Sequence, residues 1–366
     1  MKKNSVCASL MVLALAPYLW ANSEALHQLP AHVGGRVLIE AQPNKDPAYR
    51  YSWPGIYFET AFKGDSLNLE FDDDQNIFRL LVDDAAAIII KKPGKTTYPV
   101  KNLTLGTHKV RLEKLTETQW STGRFNGFYS TGKPLPISNR TRQIEFIGDS
   151  FTVGYGNTSS SRECNNEELF QTTNTQLAFG PLTAKALNAD YQINASSGFG
   201  IVRNYNGSSP DKSLLSLYPY TLNQNTHRYD KSASANSAKW QPQVIVIGLG
   251  TNDFSTPLNA DERWKTREDL HNDYVAHYTD FVKSLHRKNP KAHFILMASD
   301  QTEGEIATQV ERVIKNLNAE KNIKTGKIIF TGLNYAGCHW HPSTQDDAKL
   351  TQLLVDYLKA APKVWR

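Results

Sequence analysis

The chain reads as an α/β protein built on a mostly parallel sheet with helices on both faces, preceded by a smaller β-sandwich. Three observations carry that reading. Residues 34–137 show short alternating apolar and polar runs broken by turns, with no helix-length amphipathic stretch between them. From about residue 140 strand-like runs alternate with helix-like ones, the pattern of parallel strands joined by crossover helices. The length of 366 residues exceeds what one core usually holds, about 250–300 residues, so two domains are expected.

The first element is a leader. Lys2 and Lys3 precede an apolar run from Ala8 to Leu19, too short to span a bilayer, and small residues follow. Cleavage after Ala21 or Ala25 fits, and residues 1–25 are assigned to an export signal. A retained N-terminal anchor is the alternative. Export predicts a secreted or periplasmic protein that does not stay in the membrane. Cys7 lies inside the leader, too early for a lipid-attachment site.

The second element, residues 34–137, is expected to be a jelly-roll sandwich. Its strands are placed at Arg36–Glu40, Gly55–Thr60, Ser66–Phe71, Phe78–Val82 and His108–Leu112. The third, residues 140–366, is the α/β domain. Strands are expected at 143–147, 191–194, 244–248, 293–297 and 327–330, and helices at 178–188, 268–289, 304–320 and 344–360. In such sheets ligands bind beyond the carboxyl ends of the strands.

The net charge of +5 falls to +4 once Lys2, Lys3 and Glu24 leave with the signal, and no Lys/Arg cluster concentrates it. That argues against a nucleic-acid partner. Asn, Thr, Tyr and Trp are plentiful, which suits a wet, sugar-facing surface. Two cysteines remain, Cys164 and Cys338. In an oxidising compartment an even pair suggests a disulfide, and two thiols are too few for a zinc site. No metal or organic cofactor is expected, and nothing points to an obligate oligomer, so a monomer is expected.

Four segments following strand-like runs carry the chemistry. Ile144–Ile147 runs into Gly148-Asp149-Ser150, delivering a hydroxyl at the sheet edge where local N–H groups and a helix start favour negative charge. Thr152 stands where a Gly-x-Ser-x-Gly elbow needs glycine, which disfavours an ordinary α/β-hydrolase. Gly250-Thr251-Asn252-Asp253 follows Val244–Gly248, and the Asn252 amide can donate to an oxyanion. Its alternative is a turn-capping Asx residue. The loop Ser196-Ser197-Gly198-Phe199-Gly200 offers a backbone N–H at Gly198, preferred over Gly200. His341, before Pro342, is the best base for Ser150. His339 and His341 could instead be a metal pair, although no third ligand sits nearby in sequence.

Taken together, the ordered blocks Gly148-Asp149-Ser150, Gly198, Gly250-x-Asn252-Asp253 and His341 resemble the SGNH (GDSL-type) hydrolases. The N-terminal sandwich, Tyr51-Ser52-Trp53-Pro54-Gly55 and Cys338-x-Trp340-His341-Pro342-Ser343 resemble carbohydrate esterase family two across almost the whole mature chain. The resemblance implies a flavodoxin-like SGNH-hydrolase domain behind a jelly roll. It also implies deacetylation of plant polysaccharides such as xylan and glucomannan, often at 6-O-acetyl hexoses. By position Ser150 becomes the nucleophile and His341 the base, with Ser150 N–H, Gly198 N–H and the Asn252 amide as oxyanion donors. The chain departs from the superfamily at the acid: Cys338 stands three residues before His341, and His339 two before. A Ser-His dyad with Nδ1–H held by a backbone carbonyl is therefore expected, with Asp346 or Asp347 as possible spatial substitutes.

Tyr205, Trp340 and Trp264 are the candidate sugar platforms, the first two ranked ahead. An acetylated polysaccharide or oligosaccharide is the expected partner, attacked through an acetyl-serine intermediate. A lipase or thioesterase of the same superfamily is the first competitor. Polar residues Thr172, Thr173, Asn174, Asn204, Asn206 and Ser208 weigh against it. A non-catalytic carbohydrate-binding protein on a hydrolase scaffold is the second.

Overall fold

Period-two alternation sorts the apolar residues of the parallel strands onto two faces, and each face builds its own core. Ile245, Ile247, Phe294 and Leu296 pack with Leu270, Tyr274, Tyr278 and Val282 of helix Arg267–Lys288, and with Val310 and Val313 of helix Glu305–Asn318. Their neighbours Val244, Val246, Ile295 and Met297 pack with Phe179 and Ala184 of helix Phe179–Ala186, and with Leu350 and Leu354 of helix Thr344–Ala360. The computed structural model describes residues 25–43, 45–118, 120–137, 140–222, 227–228, 240–320 and 322–365. The leader assigned to residues 1–25 thus lies outside the described residues except for Ala25. No described helix is long and apolar enough to cross a membrane.

In space the sheet runs Ala189–Ala195, Arg142–Gly148, Val244–Gly248, His293–Ser299, Lys324–Phe330, all parallel. This is the 2-1-3-4-5 order, whose switch point lies between the first and third strands of the domain. Gly148 pairs with Ala195 on one side and Gly248 on the other. Chain leaving these three strands therefore emerges side by side, and those exits carry Ser150, the Gly198 loop and Asn252. The expected strands and helices all form, with ends displaced by a few residues; ends are where local pattern is weakest.

The N-terminal part is a sandwich of two six-stranded antiparallel sheets closed over Tyr49, Tyr51, Phe58, Phe71, Phe78, Phe125 and Phe128. The five expected strands are present, the first shifted to Leu38–Gln42. Strands Lys45–Tyr51, Ile88–Lys91, Gly94–Pro99 and Gly123–Ser130 were not anticipated from the sequence. Three of the four hide their pattern. Pro47 interrupts the first, Gly94–Pro99 is a largely polar edge strand, and the register of Gly123–Ser130 slips between Phe125 and Gly127.

The sandwich docks through buried polar contacts as well as apolar ones. Asp190 accepts from Tyr57 (2.6 Å), His32 (2.9 Å) and Arg140 (2.8 Å). Trp53 is fully buried in the core containing Ile147, and its indole N–H donates to the Tyr220 carbonyl. Glu113, also fully buried, meets Arg79, Arg111 and, across the interface, Lys185. Burial works against its charge, but Lys185, Arg111 and Arg79 hold its carboxyl down at about 2. Glu113→Gln leaves three cations short of their counter-charge, so urea unfolding should show a loss of about 3–5 kcal/mol at neutral pH. The depressed pKa makes that contribution full above the unfolded value near 4.5. It is lost as pH falls toward 2, so the gap between variant and wild type should close there.

Candidate active site

Ser150 stands on a sharp turn. Asp149 caps it, its Oδ1 accepting the Phe151 N–H at 3.1 Å. The turn needs Gly148, since a Cβ there would lie 1.9 Å from Thr152 Oγ1. The helix expected to begin at Ser150 is a single turn, Ser150–Val153, because Gly154 enters the left-handed region at φ +75°. Individual N–H groups rather than a helix dipole are what this turn offers a negative charge.

His341 meets it from the other end of the chain. Its Nε2 lies 2.9 Å from Ser150 Oγ, and its Nδ1 lies 2.9 Å from the Cys338 carbonyl and 3.1 Å from that of His339. Carbonyl oxygens only accept, so Nδ1 carries the proton and Nε2 is the acceptor for Ser150. Asp346 and Asp347 are committed elsewhere. Asp346 accepts from Ser343, Asn334 and Tyr335, and Asp347 from Asn157 and Phe179.

Two carbonyls converge on one nitrogen because His339 (φ +51°) and Trp340 (φ +61°) both adopt left-handed backbone. Non-glycine residues reach that region at a cost and stay there only when their surroundings hold them. Here the surroundings are specific. Cys338 is bonded to Cys164 (S–S 2.00 Å), and the Arg162 guanidinium stacks 3.9 Å over the Trp340 ring. Arg162 also donates to the Tyr335 and Asn334 carbonyls. Both ring nitrogens of His339 are engaged, with Tyr155 Oη at 3.1 Å and the Cys164 carbonyl at 2.8 Å. The Tyr155 ring lies tilted against the imidazole of His341 at 4.3 Å, and Phe151 meets it edge-on at 5.7 Å. Burial under these rings lowers the His341 pKa to about 4, against the opposing pull of the two carbonyls.

The loop after strand Ala189–Ala195 uses its N–H groups one by one. Ser196 N–H goes to Gly148 O, Ser197 N–H to Glu117 Oε1, and Phe199 N–H back to Ser196 O. Gly200 N–H goes to Asn204 Oδ1, while Ile201, Val202 and Arg203 N–H all go to the Asp253 carboxylate. Gly198 (φ +82°) is the exception: its N–H has no acceptor among the described residues, and a Cβ there would meet nothing within 4 Å. Asn252 donates one amide proton to the Phe199 carbonyl at 3.0 Å, and its other contact, to Asp149 Oδ2, is a long 3.4 Å. Burial pushes the Asp149 carboxyl up to about 7 and that of Asp253 up to about 6.

Of the three candidate platforms, Tyr205 and Trp340 are 56% and 62% exposed. Tyr205 N–H bonds the Gly198 carbonyl, placing it beside the same loop. Trp264 has its indole N–H on Asp273, its ring beside Arg263 and its flank against the core. Part of the polar set read as facing sugar is also committed locally. Thr173 accepts from Gly156 N–H, Asn174 from Gln176 N–H, and Asn204 donates to three carbonyls within its own loop. Sequence reasoning missed Tyr155, Arg162, Glu117, Trp120 and the holding role of Asp253. Trp120, 56% exposed, stands 6.1 Å from Phe199. Only Asp253, inside the Gly250–Asp253 block, had a local signal.

The family model for the carbohydrate esterase 2 N-terminal domain matches residues 33–137, and that for GDSL-like lipase/acylhydrolase matches residues 144–354. The chain is 61% identical to an acetylxylan esterase / glucomannan deacetylase of Cellvibrio japonicus, over all of both chains. A solved carbohydrate esterase, whose active site displays divergent catalytic and non-catalytic binding functions, superposes with a TM-score of 0.88 at 63% identity. That match covers 93% of this chain and 100% of that one. A family two carbohydrate esterase from Clostridium thermocellum in complex with cellohexaose gives a TM-score of 0.78 at 27% identity, covering 92% and 100%.

Two expectations follow from the imidazole and its loop. With the His341 pKa lowered to about 4, the acid limb of kcat/KM for 4-nitrophenyl acetate should lie near pH 4. A limb near 6.5 would mean the ring is not held neutral. Because the unfolded chain protonates this histidine first, its contribution to stability also falls as pH drops from 6.5 toward 4. Replacing Cys164 and Cys338 together by serine should lower kcat more than it raises KM, because the His339–Trp340 backbone loses its restraint. Denaturant unfolding should record a loss of about 2–4 kcal/mol.

Proposed function

The chain belongs to carbohydrate esterase family two, and from that membership we propose that it removes O-acetyl groups from plant polysaccharides. Xylan and glucomannan are the substrates put forward, with 6-O-acetyl hexoses among the positions attacked. The observation that carries the reading is the contact between His341 Nε2 and Ser150 Oγ at 2.9 Å, with Nδ1–H spoken for by two carbonyls.

In the first half-reaction His341 Nε2 takes the Ser150 proton as Oγ attacks the acetyl carbonyl. The oxyanion that forms is met by the N–H groups of Ser150 and Gly198 and by the Asn252 amide. Collapse breaks the bond to the sugar oxygen, which leaves as a hydroxyl carrying the proton from His341. Water then attacks the acetyl-serine by the same route and acetate departs. The imidazolium formed on the way is opposed by carbonyl dipoles rather than a carboxylate, and the oxyanion donors and positioning supply much of the remaining rate.

Tyr205 and Trp340 flank the dyad and the Gly198 loop, and their exposed rings suit the flat faces of sugar units. That favours a glycan over the acyl chain of a lipase or thioesterase substrate. The sandwich, residues 34–137, buttresses the esterase domain, residues 140–366. The mature chain acts as a monomer outside the cytoplasm after loss of residues 1–25.

Acetate release from acetylated xylan and glucomannan tests the reading. Wild type should release acetate from at least one of them. Ser150→Ala and His341→Ala should each lower kcat by a factor of about 1,000 or more. Folded wild type that binds glycan but releases no acetate from these or from aryl acetates would instead place the chain among the non-catalytic binders.

A further inference from the structure

We infer that Glu117, a residue of the sandwich, is a positioning residue for the oxyanion site: it fixes the loop that presents Gly198 N–H. The inference rests on the esterase reading above and adds to it a residue from outside the α/β domain.

Glu117 reaches across the domain boundary to Ser197, accepting its N–H at 2.8 Å and its hydroxyl at 2.6 Å. Two bonds from one carboxylate to one residue set both the position and the rotation of the peptide leading into Gly198. On the far side of Gly198 the Asp253 carboxylate does the equivalent by accepting three successive N–H groups. The glycine is thus suspended between two acidic anchors, and its own N–H is the one in the segment 196–203 that points at no described acceptor. Gly198 needs such anchors. Its φ of +82° and the open space around its Cα give it nothing of its own to pack against.

The anchor is itself rigid. Thr116 and Thr118, on either side of Glu117, both donate to Asn76 Oδ1 at 3.0 Å. Asn76 in turn donates to the buried Asp73 at 2.7 Å. The buried Lys114 ammonium holds the Thr116 carbonyl at 2.6 Å, and the Leu115 carbonyl accepts Thr175 N–H of the α/β domain at 2.9 Å. A surface carboxylate would gain little from such bracing. One that must hold a backbone N–H aimed at a developing charge gains accuracy from it, since oxyanion donors act through fixed geometry.

The test compares Glu117→Ala, Glu117→Gln, Ser197→Ala and the double variant Glu117→Ala/Ser197→Ala on 4-nitrophenyl acetate and acetylated xylan, with Tm measured alongside. Glu117→Ala should lower kcat at least 10-fold with KM changed less than 3-fold. Glu117→Gln keeps an acceptor for Ser197 N–H and should recover most of that loss. The double variant should be no worse than Glu117→Ala, because that substitution already removes the hydroxyl bond that Ser197→Ala breaks. Glu117→Ala with wild-type kcat overturns the inference. So does a loss that Glu117→Gln does not recover and that follows Tm across the set. If wild type itself hydrolyses neither substrate, the esterase reading fails first, and the inference with it.

Discussion

Everything around the Ser150–His341 pair depends on how the imidazole of His341 is held. A histidine that takes a proton from serine needs its other nitrogen fixed, because the wrong tautomer or a rotated ring leaves no lone pair facing the hydroxyl. A carboxylate is the common way to do this. Here two peptide carbonyls do it, those of Cys338 and His339. Burial under Tyr155 and Phe151 holds the ring neutral well below its ordinary pKa, and the two carbonyls offset only part of that shift. The cost has moved into the backbone, where His339 and Trp340 occupy left-handed conformations. The Cys164–Cys338 disulfide, Arg162 and Tyr155 surround that strained turn and keep it in place. Cys338, standing where the superfamily has its acid, supplies both the carbonyl and the cross-link.

The same economy runs through the rest of the site. Gly148, Ala195 and Gly248 lie in register on adjacent strands, so the Ser150 turn, the Gly198 loop and the Asn252 turn are neighbours by construction. Buried carboxylates then fix what the sheet brings close: Asp149 caps the serine turn, and Asp253 gathers the loop beyond Gly198. The sandwich belongs to this scheme through Glu117 and through the Glu113 and Asp190 networks that join it to the α/β domain.

The sequence made the architecture legible where periodicity is regular. Val244–Gly248 and its neighbours are continuous apolar runs because both faces are covered, and helices such as Thr344–Ala360 keep a clear 3.6 spacing. It failed at Lys45–Tyr51 and Gly94–Pro99, where proline or an exposed edge removes the pattern. In the site, Ser150, Asn252 and His341 stand out because each follows a strand in a short block. Tyr155, Arg162 and Glu117 have no such signature. They act through contacts between segments far apart in the chain, which no local spacing encodes.

Backbone carbonyls fix His341 as the Nδ1–H tautomer, leaving Nε2 to accept from Ser150. Long-range 1H–15N correlation of the histidine side chains at neutral pH tests it directly, with His341 assigned by its disappearance in His341→Ala. Nδ1 should show a pyrrole-type shift and Nε2 a pyridine-type shift, unchanged until the pH approaches 4. An Nε2–H tautomer, or an imidazolium already present between pH 6 and 7, would contradict it.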